Sequence, residues 1–276
     1  MSAPVKLAAF AAALALVFAG ATVAGGAVDI DRAPPPEAEA EGGHGGAEEG
    51  MEMKADPVRG LAVSENGLTL ELSHRRDELA FRIADRQGET VRDFDVEHTK
   101  RMHLIVVRRD MTGFQHVHPT QHADRTWSVP VTLRDAGSYR VFADFSVDGK
   151  AYTLADDLTA DGTVRSQELP APVGSVDVDG MRVTLTEGAS EAGADAELGF
   201  EVTRDGRPVA IEDYLGAKGH LVALRQGDLA FLHVHPDENS LRFMATFPTA
   251  GSYRLFLQFQ TEGRVHTAAF TQEVSR

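Results

Sequence analysis

Cysteine is absent from the 276 residues. Disulfides, zinc–thiolate sites and thiol nucleophiles are therefore excluded. Positive charge is scarce: 27 Lys and Arg stand against 42 Asp and Glu, a formal net charge of −15. A surface of that sign repels phosphate backbones, so nucleic acid is not an expected partner. The chain also lacks the usual marks of catalysis. It has no Gly-x-Ser-x-Gly elbow, no phosphate-cradling glycine loop and no paired carboxylates in a repeated setting. A non-enzymatic protein is expected on that ground.

A long apolar run occurs at the start. Lys6 precedes Leu7 to Ala24, and small residues follow to Ala27. Residues 1–27 thus read as an export signal or, at nearly the length that spans a bilayer, as a membrane anchor. The bulk of the chain is then expected outside the cytoplasm, secreted or held at the membrane by this segment. Residues 28–58 contain Pro34 to Pro36, alternating Glu and Ala, and glycines around His44. Nine acids face Arg32 and Lys54 between Asp29 and Asp56, a local net of −7. Low hydrophobicity and high charge predict a disordered acidic linker. Met51, Met53 and His44 within it are expected to bind a soft or borderline ion loosely at most.

From Gly60 the pattern changes. Leu68–Leu72 and Leu79–Ile83 alternate apolar and polar residues at strand period, with Asp85–Gly88 as a following turn. Further strands are expected at His103–Arg108, Phe114–His118, Trp127–Leu133, Tyr139–Phe145 and Ala151–Leu154. After Pro170 and Pro172 a second series runs from Met181 to Phe270. The two series are an internal repeat. His103, His116 and His118 map onto His220, His233 and His235 at an offset of 117. Ala136-Gly-Ser-Tyr139-Arg-Val-Phe142 then maps onto Ala250-Gly-Ser-Tyr253-Arg-Leu-Phe256 at an offset of 114. An all-β chain of two tandem immunoglobulin-like sandwiches follows, over residues 59–168 and 173–276. Tyr139 and Tyr253, each just inside a strand after a glycine turn, are expected tyrosine corners.

Six of the eleven histidines lie in the repeated blocks. In each block a hairpin puts the first His on the same face as the His-x-His of the returning strand. Cross-strand neighbours stand about 5–8 Å apart, so three imidazoles converge at one end of a mostly apolar face. Imidazole suits copper(II) and zinc(II), and three ligands leave a position open. His220, His233 and His235 form the favoured set, because the repeat aligns Tyr152 with His266 and so offers a fourth His to the second domain. His103, His116 and His118 form the weaker set, with His122 near them. His74 and His98 have no repeat partner and read as surface residues.

The repeated block and the Ala-Gly-Ser-Tyr-Arg-x-Phe segment resemble bacterial extracytoplasmic immunoglobulin-like domains of the YtkA-like type and, more distantly, CopC-like copper-resistance domains. That resemblance implies export, a sandwich and copper binding. This chain lacks the mature N-terminal His of CopC-like proteins, so their ligand set does not carry over. The leading expectation is an exported protein that binds copper or zinc through its His clusters. The alternative is a cell-envelope interaction or scaffold module, with an envelope protein as partner, in which the histidines are structural.

Overall fold

The structure is a computed structural model and describes residues 58–276 except 76, 189, 190, 233 and 238, with backbone alone at Arg75, His235 and Pro236. The expected leader and nearly all of the acidic linker lie outside the described residues. Among those described, no helix is long and apolar enough to cross a membrane.

The first domain contains β1 (Ser64–Glu65), β2 (Leu68–Arg75), β3 (Glu78–Ala84), β4 (His103–Arg108), β5 (Gln115–Val117), β6 (Thr120–Gln121), β7 (Trp127–Pro130), β8 (Gly137–Val147) and β9 (Lys150–Ala160). The second contains β10 (Ser175–Val178), β11 (Met181–Glu187), β12 (Asp195–Arg204), β13 (Arg207–Pro208), β14 (Gly219–Arg225), β15 (Phe231–Leu232), β16 (His235–Pro236), β17 (Arg242–Thr246), β18 (Gly251–Thr261) and β19 (Arg264–Val274). Sheet order β1-β2-β3-β7-β6 faces β5-β4-β8-β9, and β10-β11-β12-β17-β16 faces β15-β14-β18-β19. The repeat read from sequence is thus a repeat of strand order. Both copies are immunoglobulin-like sandwiches.

Both expected tyrosine corners are present. The Tyr139 hydroxyl donates to the Asp135 carbonyl at 2.8 Å, and that of Tyr253 to the Thr249 carbonyl at 2.8 Å. Each ties the start of a long strand to the loop before it.

The apolar runs are continuous because the four-stranded sheets are buried on both faces. In β4, Leu104 and Val106 enter the core of the first sandwich with Trp127 and Phe145. Ile105 and Val107 point the other way, into a cluster shared with Val222, Leu224 and Phe231 of the second domain. The ring of Phe114 stacks on Phe256 with centroids 4.0 Å apart, and Phe231 meets Phe142 at 5.7 Å. Phe114 and Phe231 are repeat counterparts, as are Phe142 and Phe256. The contact is therefore reciprocal, as in a two-fold dimer interface, but within one chain.

Two segments reinforce it. The Arg59 carbonyl accepts from the Phe231 amide at 2.9 Å, while the Gly60 amide donates to the Thr153 carbonyl at 3.0 Å. Between the domains, the Arg165 carbonyl accepts from Arg108 at 2.6 Å and Leu169 packs on the shared cluster.

Candidate metal centre

The strand register places the histidines. Ile105 on β4 pairs with His116 on β5, and His103 pairs with Asp144 on β8. With a side-chain period of two, His103, His116 and His118 share the face that carries Ile105. The returning strand ends just before Pro119, which has no N–H for a ladder, and the chain crosses to the other sheet at β6, where Thr120 pairs with Ser128. The expected convergence of three imidazoles occurs at that crossing.

His103 Nδ1 lies 3.2 Å from His116 Nε2 and 3.2 Å from His118 Nε2. One ring nitrogen from each His falls within 4.8 Å of the other two. Three nitrogens at about 2.0–2.1 Å from a tetrahedral ion stand about 3.3–3.4 Å apart. Two edges of the triangle, each 3.2 Å, are already close to that length.

The outer nitrogens are pinned. His103 Nε2 is 3.2 Å from the Glu97 carbonyl, and His116 Nδ1 is 2.8 Å from Gln258 Oε1. Each outer nitrogen donates to an oxygen, so in a neutral ring the inner nitrogen carries a lone pair. His103 and His116 then point lone pairs at one another. His118 can donate its proton to one of them, but the facing pair keeps no hydrogen between it. A cation between them removes that repulsion. A proton is a poor candidate. Burial drives all three rings toward the neutral form, aided at His116 and His118 by the neighbouring imidazoles, and it takes His118 down to about 3. Neutral imidazole with its other nitrogen donating to a carbonyl is the form that binds metals.

The Glu97 carbonyl is presented by a tight turn. Glu97 and Lys100 exchange backbone hydrogen bonds at 2.8 and 2.9 Å, and His98 and Thr99 between them take positive φ of 46° and 66°. That turn sets the His98 ring 5.3 Å from His220 and 6.3 Å from His103, centroid to centroid. His98 is exposed, as expected of a surface residue, and its ring stands beside the cluster. A pocket of about 70 Å³ opens here, lined by His98, His103, His116 and Asp144 from the first domain and by His220 and Phe231 from the second.

In the second block, His220 repeats the arrangement of His103, its ring bonded to a backbone carbonyl six residues earlier in the chain. His220 is buried, and its Nε2 donates to the Tyr214 carbonyl at 2.9 Å. Burial holds its pKa at about 4. His233 and the side chain of His235 lie outside the described residues. The expected partnership with His266 is not formed. Phe259 pairs with His266, whereas His220 pairs with Gln258 and Gln258 with Thr267. Neighbouring residues alternate faces, so His266 sits on the opposite side of the sheet from His220. There it stacks on Phe259 at 5.4 Å and bonds Asp179 at 2.6 Å. Its repeat counterpart Tyr152 likewise stacks on Phe145 in the first core. His122 is also apart, with Nε2 at 2.8 Å from Ser128 Oγ.

Gln258 is the residue the sequence reading passed over. Its signal was a polar side chain on the apolar face of β18, aligned with Asp144 of the first repeat.

No curated protein matches the chain. Among solved structures, the fibronectin(III)-like modules of Clostridium thermocellum CbhA are similar over 79% of this chain and 90% of that one, at 9% identity and a TM-score of 0.22. A two-domain fibronectin type-III segment of chicken tenascin is similar over 74% and 97%, at 12% identity and 0.23. The sandwich assignment rests on the strand order and the two tyrosine corners described above. Residues 58–162 and 176–276 each match one family, which is neither of the two that the repeated block resembles. The chain belongs to the family described as a domain of unknown function, DUF8832, and carries two copies of that domain.

Proposed function

We propose that the protein is an exported, non-enzymatic metal-binding protein that holds one copper(II) or zinc(II) ion between His103, His116 and His118. The observation that carries this reading is the approach of three imidazole nitrogens to within 4.8 Å, with the outer nitrogens of two rings donating to oxygens. All-nitrogen, neutral, borderline donors favour these two ions over calcium or magnesium. Three ligands leave a coordination position for water or an anion, and the interdomain pocket adjoins them. The acidic tether and export segment read from sequence suit a role at the cell envelope.

The test is titration of the full chain with zinc(II) and, separately, copper(II), followed by calorimetry and thermal unfolding. One ion per chain is expected. At free metal 100 times Kd the native state gains about 2.7 kcal/mol, which raises Tm by roughly 5–10 °C for a chain of this size. His118→Ala, at a half-buried position, should remove most of that rise. No saturable binding of either ion by the wild-type chain would defeat the reading.

A second reading keeps the histidines structural and makes the tandem sandwich an interaction module. The ring of His266 favours it, since it is bonded to Asp179 and stacked on Phe259, on the face of its sheet opposite to His220. The same titration separates the two, because a structural cluster gives no saturable heat.

A further inference from the structure

We infer that the metal centre is built by both domains: Gln258 of the second domain is a positioning residue for His116, so ion binding and domain docking are coupled. This rests on the metal-binding reading of the cluster.

Gln258 is 7% exposed. Its Oε1 accepts from His116 Nδ1 at 2.8 Å, and its Nε2 donates to Thr267 Oγ1 at 3.3 Å. Phe114 lies two residues before His116, and Phe256 two residues before Gln258. With strand period two, the Phe114–Phe256 stack and the His116–Gln258 bond are successive rungs of one contact. The register that packs the aromatic rings therefore also delivers the amide oxygen to the imidazole.

A metal-bound His needs an acceptor at its other nitrogen to fix tautomer and ring orientation. For His103 that acceptor is Glu97, in the same domain. For His116 it comes from the other domain. If the domains part, His116 loses the group that keeps its Nε2 lone pair aimed at the site. Coupling of this kind is reciprocal, so the ion strengthens docking by the factor by which docking strengthens ion binding. Asp144, the repeat counterpart of Gln258, shows that a carboxylate is accommodated at the equivalent place in the fold.

The experiment uses the full chain and zinc(II). Calorimetric affinity is compared for wild type, Gln258→Leu and Gln258→Glu. Removing the acceptor should weaken binding by roughly 10–100-fold. The carboxylate variant should bind at least as tightly as wild type, because it accepts from His116 and makes the ring more basic. A merely structural role for Gln258 would not produce that order. In parallel, trypsin cleavage after Arg165, in the segment between the domains, should slow when zinc is added to wild type and slow less in Gln258→Leu. Should the leucine variant fail to fold, the glutamate variant and the wild-type cleavage rates still decide. Zinc binding within twofold of wild type in Gln258→Leu, or cleavage indifferent to bound zinc, overturns the coupling and leaves the metal-binding reading standing. No binding of zinc(II) or of copper(II) by wild type overturns both.

Discussion

Gly60 lies where the chain passes between the domains, and replacing it with alanine tests how tightly they are docked. Its φ is +70°, and a Cβ there would sit 2.7 Å from Cδ1 and Cε1 of Phe142 and 2.9 Å from Cβ of Phe231. Phe142 is fully buried in the first domain and Phe231 belongs to the second. Neither contact is with the free end of a flexible side chain, so the methyl group has to push the domains apart or strain them. An L-residue in the left-handed region costs about 1–2 kcal/mol. Overpacking a filled site costs about 1–3 kcal/mol more. The expected loss for Gly60→Ala is thus roughly 2–5 kcal/mol. Gly149→Ala is the control: its φ is +72° and nothing lies within 4 Å of the added Cβ, so it should lose about 1–2 kcal/mol from backbone strain alone. Urea unfolding, followed by fluorescence of the sole tryptophan, the buried Trp127, and by circular dichroism, measures both. Equal losses in the two variants would refute the crowding argument. A gain of stability in Gly60→Ala, the usual result where alanine fits without strain, would refute the left-handed backbone as well.

Two further outcomes are expected. The metal-free protein should lose stability on acidification. His220 faces His98, His103 and the Tyr214 carbonyl, and burial lowers its pKa to about 4. The unfolded chain takes up that proton near pH 6.5, so the native state falls behind by up to about 1.4 kcal/mol per pH unit from 6.5 down toward 4, and no further below that. Urea midpoints at pH 7, 5.5 and 4.5 measure the slope, which His220→Gln should reduce; an unchanged slope would remove His220 as a source. His266→Leu should leave zinc affinity within about twofold of wild type while altering stability, because the ring lies on the far face of its sheet; a large loss of affinity would return His266 to the ligand set.

Much of the fold was legible because its signals are local. Alternation at Leu68–Leu72 and Leu79–Ile83, glycine turns before Tyr139 and Tyr253, and the matched histidine blocks each depend on neighbours within a few residues. The first histidine cluster was legible for the same reason: a hairpin and a period of two bring His103, His116 and His118 to one face. The position of His266 was not. Alignment of the repeats matched it to Tyr152 correctly, but neither sheet face nor partner follows from alignment. Register against Phe259 turns it into the core. The nearness of His98 to His220 was not legible, because His98 has no repeat counterpart and reaches His220 only by way of a left-handed turn. Gln258 escaped because its hydrogen-bond partner lies 142 residues away in the chain.

Sequence alone determined that this is an all-β tandem repeat whose histidines recur at one spacing, since strand period and turn chemistry are properties of short segments. Tertiary structure decided what the apolar face beside those histidines is for. Read as sequence, Ile105, Val107, Val222 and Leu224 could line the interior of their own sandwiches. The fold gives that role to Leu104, Val106, Leu221 and Ala223 and buries the first four between the domains. The histidines at the end of that face therefore meet across an interdomain boundary. Which domain supplies which group depends on how two faces dock, and chain order carries no local signal for that.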